Sequence, residues 1–583
     1  MQIKTILDTQ LIDNLLALFT EEQQETLVEL MMDQSATAEQ RETAVSDMLN
    51  TIDWESQREQ VSGLINELMP LETLVPDIYA AWRPVVQDAV AFVGAHLSSE
   101  RLVPKLVEQM MTPLDVTLEK RLLMLIAQMP VLQKLGQVIA RNSALDPAFR
   151  AELTRLENSI ENITYPEIEA EIQRQLSDQI RQYQIELEPE FLAEASVSAV
   201  VPFTWQGLGQ ESKDRGVLKV IKPYVLENFP EELAILRELT AYFEERQAHY
   251  QVSQTRLREV IEDVCHLLER ELDLPNEQKN LADAQKRYAH DHDIRVPRLI
   301  TELCTAQITA MTYEPGVKVT AAYASDSWKR NDVARQLIKT LIANPIFTAE
   351  ERVIFHADIH AGNLLVDEAT GHITLLDWAL VSELSQAQCR EIILLTTGLL
   401  WRDSQRVYHA VAQLIADDLA DDEAKSAMVR GHITRFIEEL SPVTIVGLTH
   451  TVALLDRLAL AGIRFEAPLL LFRKMLFTLS DILHEIAPDV NVNHVLAFHM
   501  AELLAAETPD RLRSRGRDQS ASYRSHFSSE DLAKLAFNLP LLGQRLLLQT
   551  NEAVATRGAR KVNRIMGRSV IGNLRALRRR VKG

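Results

Sequence analysis

Cysteine is scarce. The 583 residues contain three, Cys265, Cys304 and Cys389, far apart and without CxxC spacing. A disulfide framework or cysteine zinc site is therefore not the organising principle, and a reducing cytoplasm is the expected compartment. No run of about 18 apolar residues occurs, so no membrane-spanning helix is expected. The nearest candidate, Leu469 to Ile482, is interrupted by Arg473, Lys474 and Asp481. The opening stretch carries Asp8 and Asp13 among its apolar residues and does not read as a signal peptide. An excess of positive charge is missing too. The net charge of −22 argues against a general nucleic-acid binder. No internal repeat or low-complexity tract is evident.

What is present is ordinary globular composition, 46% hydrophobic and 25% charged. A single core rarely grows past about 250–300 residues, so two or three structural units are expected. Charge is uneven along the chain. Asn551 to Gly583 holds ten Lys/Arg against one acidic residue, Glu552, leaving −31 on the remainder. Residues 1 to about 185 read as helical, with a capping-box spacing at Thr20–Gln23 and breaks at Pro130, Pro147 and Pro166. The texture changes near Phe191. Ala195–Trp205 and Val217–Ile221 read as two strands joined by a polar, glycine-bearing turn, the second ended by Pro223. A helical pattern follows from Glu231 to about Ala289. Strands are expected at Arg298–Leu303, Ala306–Tyr313, Val353–Phe355, Leu364–Val366 and His372–Leu376, and helices from Ser385 to about Ala505.

One ordered set of residues carries chemistry. His356-Ala-Asp358-Ile-His360-Ala-Gly362-Asn363 has Asp and Asn five apart, and the strand HITLLD then ends on Asp377. Lys219 lies upstream in the strand VLKV, and Glu277 follows on a helix. Phosphoryl transfer asks the protein for positioning and charge neutralisation rather than covalent work. A lysine steadies the phosphates and a carboxylate orients that lysine. A catalytic-loop Asp handles the nucleophile, and Asn with a second Asp supplies oxygen ligands to Mg²⁺. Lys219, Glu277, Asp358, Asn363 and Asp377 fill these roles in chain order. Singly, each has an ordinary reading: a strand lysine as a solvated edge residue, a strand-end Asp as a turn former. His356 is expected to support the loop by hydrogen bonding; a histidine metal site at HxDxH is the alternative, which leaves Asn363 and Asp377 unexplained.

These residues resemble the UbiB-like atypical kinases, also called the AarF family, whose stretch F-H-A-D-P-H-P-G-N parallels FHADIHAGN at 355–363. Lys134-Leu-Gly136-Gln137 is similar to the family's K-x-G-Q motif. Ala195-Ser196-Val197-Ser198-Ala199-Val200 resembles its alanine-rich nucleotide loop, and Glu271-Leu-Asp273 its E-x-D signature. The resemblance implies ATP (or ADP) and Mg²⁺ as cofactors, with the hinge contacts at Met311 and Tyr313. It further implies that the K-x-G-Q segment folds over the active site, Lys134 and Gln137 facing Glu271 and Asp273, so that ordinary protein-kinase activity is weak or absent. The implied role is ATP binding or ATPase action in ubiquinone or other isoprenoid-lipid metabolism. There are departures. Trp378-Ala379 replaces a glycine-containing pair, Ile359 and Ala361 replace prolines, Ala199 stands where Gln is usual, and Met311-Thr-Tyr313 replaces a Met-Glu hinge. They mark a divergent branch.

The expected architecture is helix-rich α+β: a two-lobed protein-kinase-like fold with a helical N-terminal extension and a C-terminal helical tail. Its parts are a helical region at 1–125, the K-x-G-Q extension at 126–185, a kinase-like N-lobe at 186–318, a helical C-lobe at 319–510 and a basic tail at 511–583. Expected partners are the nucleotide, a lipid or quinone precursor and a protein met through the N-terminal helices. Leu539–Leu548 and the basic tail form either an amphipathic helix on a membrane surface or a helix packed on the acidic body. Two other functions fit the loop motif: a small-molecule phosphotransferase of the aminoglycoside or choline kinase type, in which an Asp-Trp pair is frequent, and a nucleotide-binding scaffold without transfer.

Overall fold

The structure is a computed structural model. It describes residues 19–32, 37–68, 83–113, 163–195, 197–207, 212–246, 249–250, 254–348, 350–416, 422–441 and 446–513, with short pieces between 116 and 131. The K-x-G-Q motif, Ser196 and the basic tail lie outside the described residues.

In chain order the helices begin with α1 (Glu21–Met32), α2 (Ala38–Leu49), α3 (Arg58–Leu68), α4 (Arg83–Ala95), α5 (Ser99–Met111) and α6 (Tyr165–Gln182). Strands β1 (Glu186–Leu187), β2 (Ala193–Glu194), β3 (Ser198–Trp205) and β4 (Asp214–Ile221) precede α7 (Pro223–Glu245), α8 (Gln254–Leu272) and α9 (Leu274–Tyr288). Next come β5 (Ile294–Arg295), β6 (Ile308–Thr312), β7 (Val317–Lys318), α10 (Ser327–Ile338) and α11 (Asn344–Phe347). Strands β8 (Arg352–His356), β9 (Leu364–Val366), β10 (Ile373–Leu375) and β11 (Val381–Ser385) follow. The last described helices are α12 (Gln386–Trp401), α13 (Ser404–Leu414), α14 (Glu423–Glu439), α15 (Leu448–Leu460), α16 (Ala467–Ile486) and α17 (Val492–Arg513). The chain divides into two compact units, 1–282 with 298–313, and 283–297 with 314–583.

In the first unit, capping boxes start helices as their sequences dictate. Gln23 N donates to Thr20 Oγ1 (3.4 Å) while Thr20 N donates to Gln23 Oε1 (3.0 Å). Thr164 and Glu167 repeat the arrangement at α6, with Pro166 in its first turn. The sheet runs β1-β3-β4-β6, with β2 also on β3, all antiparallel. Ile168, Ile172 and Leu176 of α6 pack with Val201, Phe203, Leu218 and Val220. Alternation along β4 therefore turns Lys219, between Leu218 and Val220, to the opposite face. A second core joins the N-terminal helices to α7 through Leu49, Ile65, Leu102 and Leu106 with Leu233, Leu236 and Leu239.

Two expectations need correction. Pro223 does not merely end a strand; it opens α7, where a missing N–H costs nothing, and the helix continues through Pro230 because its buried face outweighs the broken bond. Residues 298–303 do not form a full strand. Leu299 makes a single bridge to Met311, and Thr301–Leu303 is a 3₁₀ turn. Thr305 Oγ1 accepts from the N–H groups of Gln307 and Ile308, tightening the return into β6.

In the second unit, β5-β10-β9-β7 form one small sheet and β11-β8 another. The second pair is in register from Val381 opposite His356 to Ser385 opposite Arg352. Phe355 of β8 meets Phe472 of α16 edge to face, ring centroids 5.4 Å apart. That contact sets α16 against the strand that leads into the Asp358 loop.

Candidate functional site

Lys219 lies in the first unit. Register fixes Lys219 opposite Val200 on β3 and Thr309 on β6. Its Nζ donates to both oxygens of Glu277, at 2.7 and 2.8 Å. The Glu277 side chain is 3% exposed and that of Lys219 14%. A buried carboxylate is costly without a partner, so this pairing is a commitment of the fold and not an incidental surface contact. Ala195, Val197, Ser198 and Ala199 lie at the β2–β3 turn: Ala195 N donates to Ser198 O (2.8 Å), and Ala199 pairs with Glu194. Lys222, which no motif marks, holds this turn. Lys222 N donates to Val197 O (3.0 Å), and its buried Nζ donates to Glu194 Oε1 (2.6 Å). Burial lowers the Lys222 pKa, an effect opposed by Glu194. Met311 pairs with Val217, and Tyr313 follows, its ring under the Arg215 guanidinium at 4.1 Å. Asp273 works as a helix cap, Oδ1 accepting from Asn276 N (3.1 Å), while Glu271 lies in the last turn of α8.

The Asp358 loop lies in the second unit. His356 ends β8 and is fully buried. Its Nδ1 accepts from Asp358 N (3.3 Å) and its Nε2 donates to Leu376 O (2.9 Å). Both ring nitrogens are thus occupied, and the histidine is a brace, not a metal ligand. Burial lowers its pKa, opposed by the Leu376 carbonyl and by Asp377 and Asp358, so it stays neutral near pH 7. Asn363 Nδ2 donates to Asp358 O (3.1 Å), and Leu376 N donates to Asn363 O (2.9 Å). His360 Nδ1 accepts from Gly362 N (3.1 Å), and a Cβ at Gly362 would meet that ring at 2.9 Å, which explains the glycine. Asp377 does not end β10; it follows Leu376 in a left-handed conformation, φ 56°, that Asp tolerates better than most residues. Its side chain is exposed beside buried Trp378. The Trp378 indole donates to Leu375 O (3.2 Å) and lies 4.9 Å from the His356 ring. The Trp-Ala pair therefore fastens this turn, where a glycine would loosen it.

A further residue at the loop belongs to no motif. Lys474, on α16, places Nζ 2.8 Å from Asp358 Oδ1. The only sequence signal was its interruption of an otherwise apolar helix.

The donor set fits Mg²⁺. Asn363 spends its amide nitrogen on Asp358 O, so its oxygen is the atom able to meet a cation, and Asp377 adds a carboxylate. Two hard oxygen ligands from the protein, completed by phosphate and water, are what Mg²⁺ usually takes.

A lysine clasped by a buried helix carboxylate, and an Asp/Asn loop followed by a turned-out Asp, define a kinase-like domain. Residues 155–411 match the ABC1 atypical kinase-like domain. Three relatives extend the comparison. The "Probable protein kinase UbiB" of Xanthomonas campestris is 23% identical over 62% of this chain and 66% of its own length. The "Uncharacterized protein sll1770" of Synechocystis is 24% identical over 49% and 47%, and the chloroplastic "ACTIVITY OF BC1 COMPLEX KINASE 7" of Arabidopsis thaliana 24% over 53% and 43%. The chain thus spans about half to two thirds of the length of these relatives. The domain at 155–411 is a divergent UbiB-like member of the ABC1 family.

Proposed function

We propose that the chain binds Mg–ATP and transfers or hydrolyses its terminal phosphoryl group, in support of ubiquinone or other isoprenoid-lipid metabolism. The observation that carries the reading is the bidentate clasp of Glu277 on Lys219, which keeps a cation fixed at the sheet for the α- and β-phosphates. Asn363 and Asp377 would hold Mg²⁺, which when bound would neutralise phosphate charge. Asp358 receives the proton of the attacking water or alcohol as the new P–O bond forms. The bond to the β,γ-bridging oxygen breaks, and ADP leaves with its electron pair. The lipid assignment follows from the UbiB-like resemblance.

Asp377→Asn is the informative variant, because Asn also tolerates a positive φ and the change removes charge alone. Calorimetry should show Mg–ATP affinity lower by about tenfold or more, a lost charge-assisted contact being worth about 1.5–3 kcal/mol. Unchanged affinity removes Asp377 from the metal site. Asp377-Trp378 favours a second reading, a small-alcohol phosphotransferase. Turnover raised by aminoglycosides or choline above the rate with ATP alone supports it, and no increase rejects it. Binding without any turnover supports the scaffold reading. The basic tail is proposed to meet an anionic membrane surface; failure to sediment with acidic-lipid vesicles at low salt would leave it docked on the body.

A further inference from the structure

The loop at 357–363 contains no lysine or arginine, yet a transferring phosphoryl group spreads negative charge over oxygens that need a cation beside the catalytic Asp. In the second unit that cation comes from elsewhere. Lys474, 116 residues beyond Asp358 and outside the family-matched residues 155–411, reaches Asp358 Oδ1 at 2.8 Å. Its neighbour Arg473 is directed away, Nη1 to Asp456 Oδ1 of α15 at 2.5 Å. The pair is partly solvated, with side chains 43% and 33% exposed, so it is weakly held and exchangeable. An ammonium on a four-carbon stem moves readily between neighbouring anions. The helix behind it is anchored by buried Phe472, Met475, Leu476 and Leu479, so the exchange requires side-chain movement only.

We infer that Lys474 is the terminal-phosphate contact of this site: it neutralises Asp358 while no nucleotide is bound and transfers to the γ-phosphate when ATP arrives. Asp358 is thereby released to accept the acceptor's proton at the moment the phosphoryl group is in place. ADP offers no γ-phosphate and leaves the pair closed. The inference rests on the nucleotide reading above.

The test uses the full chain and calorimetric affinities for Mg–ATP and Mg–ADP in wild type, Lys474→Met and Lys474→Arg. Thermal midpoints check that each variant is folded; the partly exposed position makes both substitutions tolerable. The expected result is a loss of about tenfold for ATP in Lys474→Met, as for one charge-assisted hydrogen bond, with ADP affinity kept within about twofold. Lys474→Arg restores most of the ATP preference. A purely structural lysine would shift both nucleotides together or neither. Either of those results, with wild type still binding, overturns the Lys474 assignment and leaves the nucleotide reading standing. Wild type binding neither nucleotide overturns both.

Discussion

At the scale of single residues, His356 shows how a buried polar side chain holds a site without touching a ligand. Its two nitrogens tie the loop at Asp358 to the turn at Leu376, the residue before Asp377. Because burial lowers its pKa, the folded chain keeps the ring neutral while the unfolded chain takes up a proton near pH 6.5. The stability this residue supplies is therefore present above about pH 6.5 and lost as the pH falls toward its folded value. His356→Gln should cost more stability at pH 7.5 than at pH 5.5 in urea unfolding; an equal cost at both would contradict a neutral, doubly bonded ring. Residue spacing made Asp358, Asn363 and Asp377 legible, because the loop is local in sequence. Lys222 and Lys474 were not legible, since their partners Glu194 and Asp358 are brought to them only by the sheet and by helix packing.

At the scale of elements, α5 and α7 are joined by a charge cluster in which Glu232 is buried and Arg101 and Glu231 are partly buried. Arg101 pairs with Glu231 at 2.7 Å and closely with Glu232. The same Glu232 accepts from Val131 N at 2.9 Å, three residues before Lys134 of the K-x-G-Q motif. Burial pushes Glu232 up to about 7 despite Arg101. For Glu231 burial also pushes upward, but the combined hydrogen bonds from Arg101 and Ser98 hold its pKa low. Lys105, half-buried against the carbonyls of Leu125 and Ala127, falls to about 8 because it is desolvated there. Arg101→Ala strands the Glu232 charge, and removing one partner of a buried pair costs about 3–5 kcal/mol. The loss should be larger at pH 8, where Glu232 is ionised, than at pH 6, where the folded state holds it protonated. Equal losses at the two pH values would mean that Glu232 is not held protonated there. Period and capping signals located most helices and strands, but they misjudged α7 and residues 298–303. In both, tertiary packing and a hydroxyl-bonded turn overrode local preference.

At the scale of the whole molecule, the sequence anticipated the helix-rich α+β class, and the structure bears it out with small sheets in each unit and helices elsewhere. Helices α2, α3 and α5 share buried side chains with α7, so much of their apolar surface is used within the first unit. No helix among the described residues is long and apolar enough to cross a membrane. The proposed Mg–ATP binding makes separate demands on Lys219 and on the Asp358–Asp377 loop. The most direct test is calorimetric titration of the full chain with ATP, with Mg²⁺ and with Mg²⁺ chelated, in wild type and in Lys219→Met. The expected result is saturable binding that requires Mg²⁺ and weakens by about tenfold or more in the variant, as for a lost lysine–phosphate contact. No binding, or binding indifferent to both Mg²⁺ and Lys219, would contradict it.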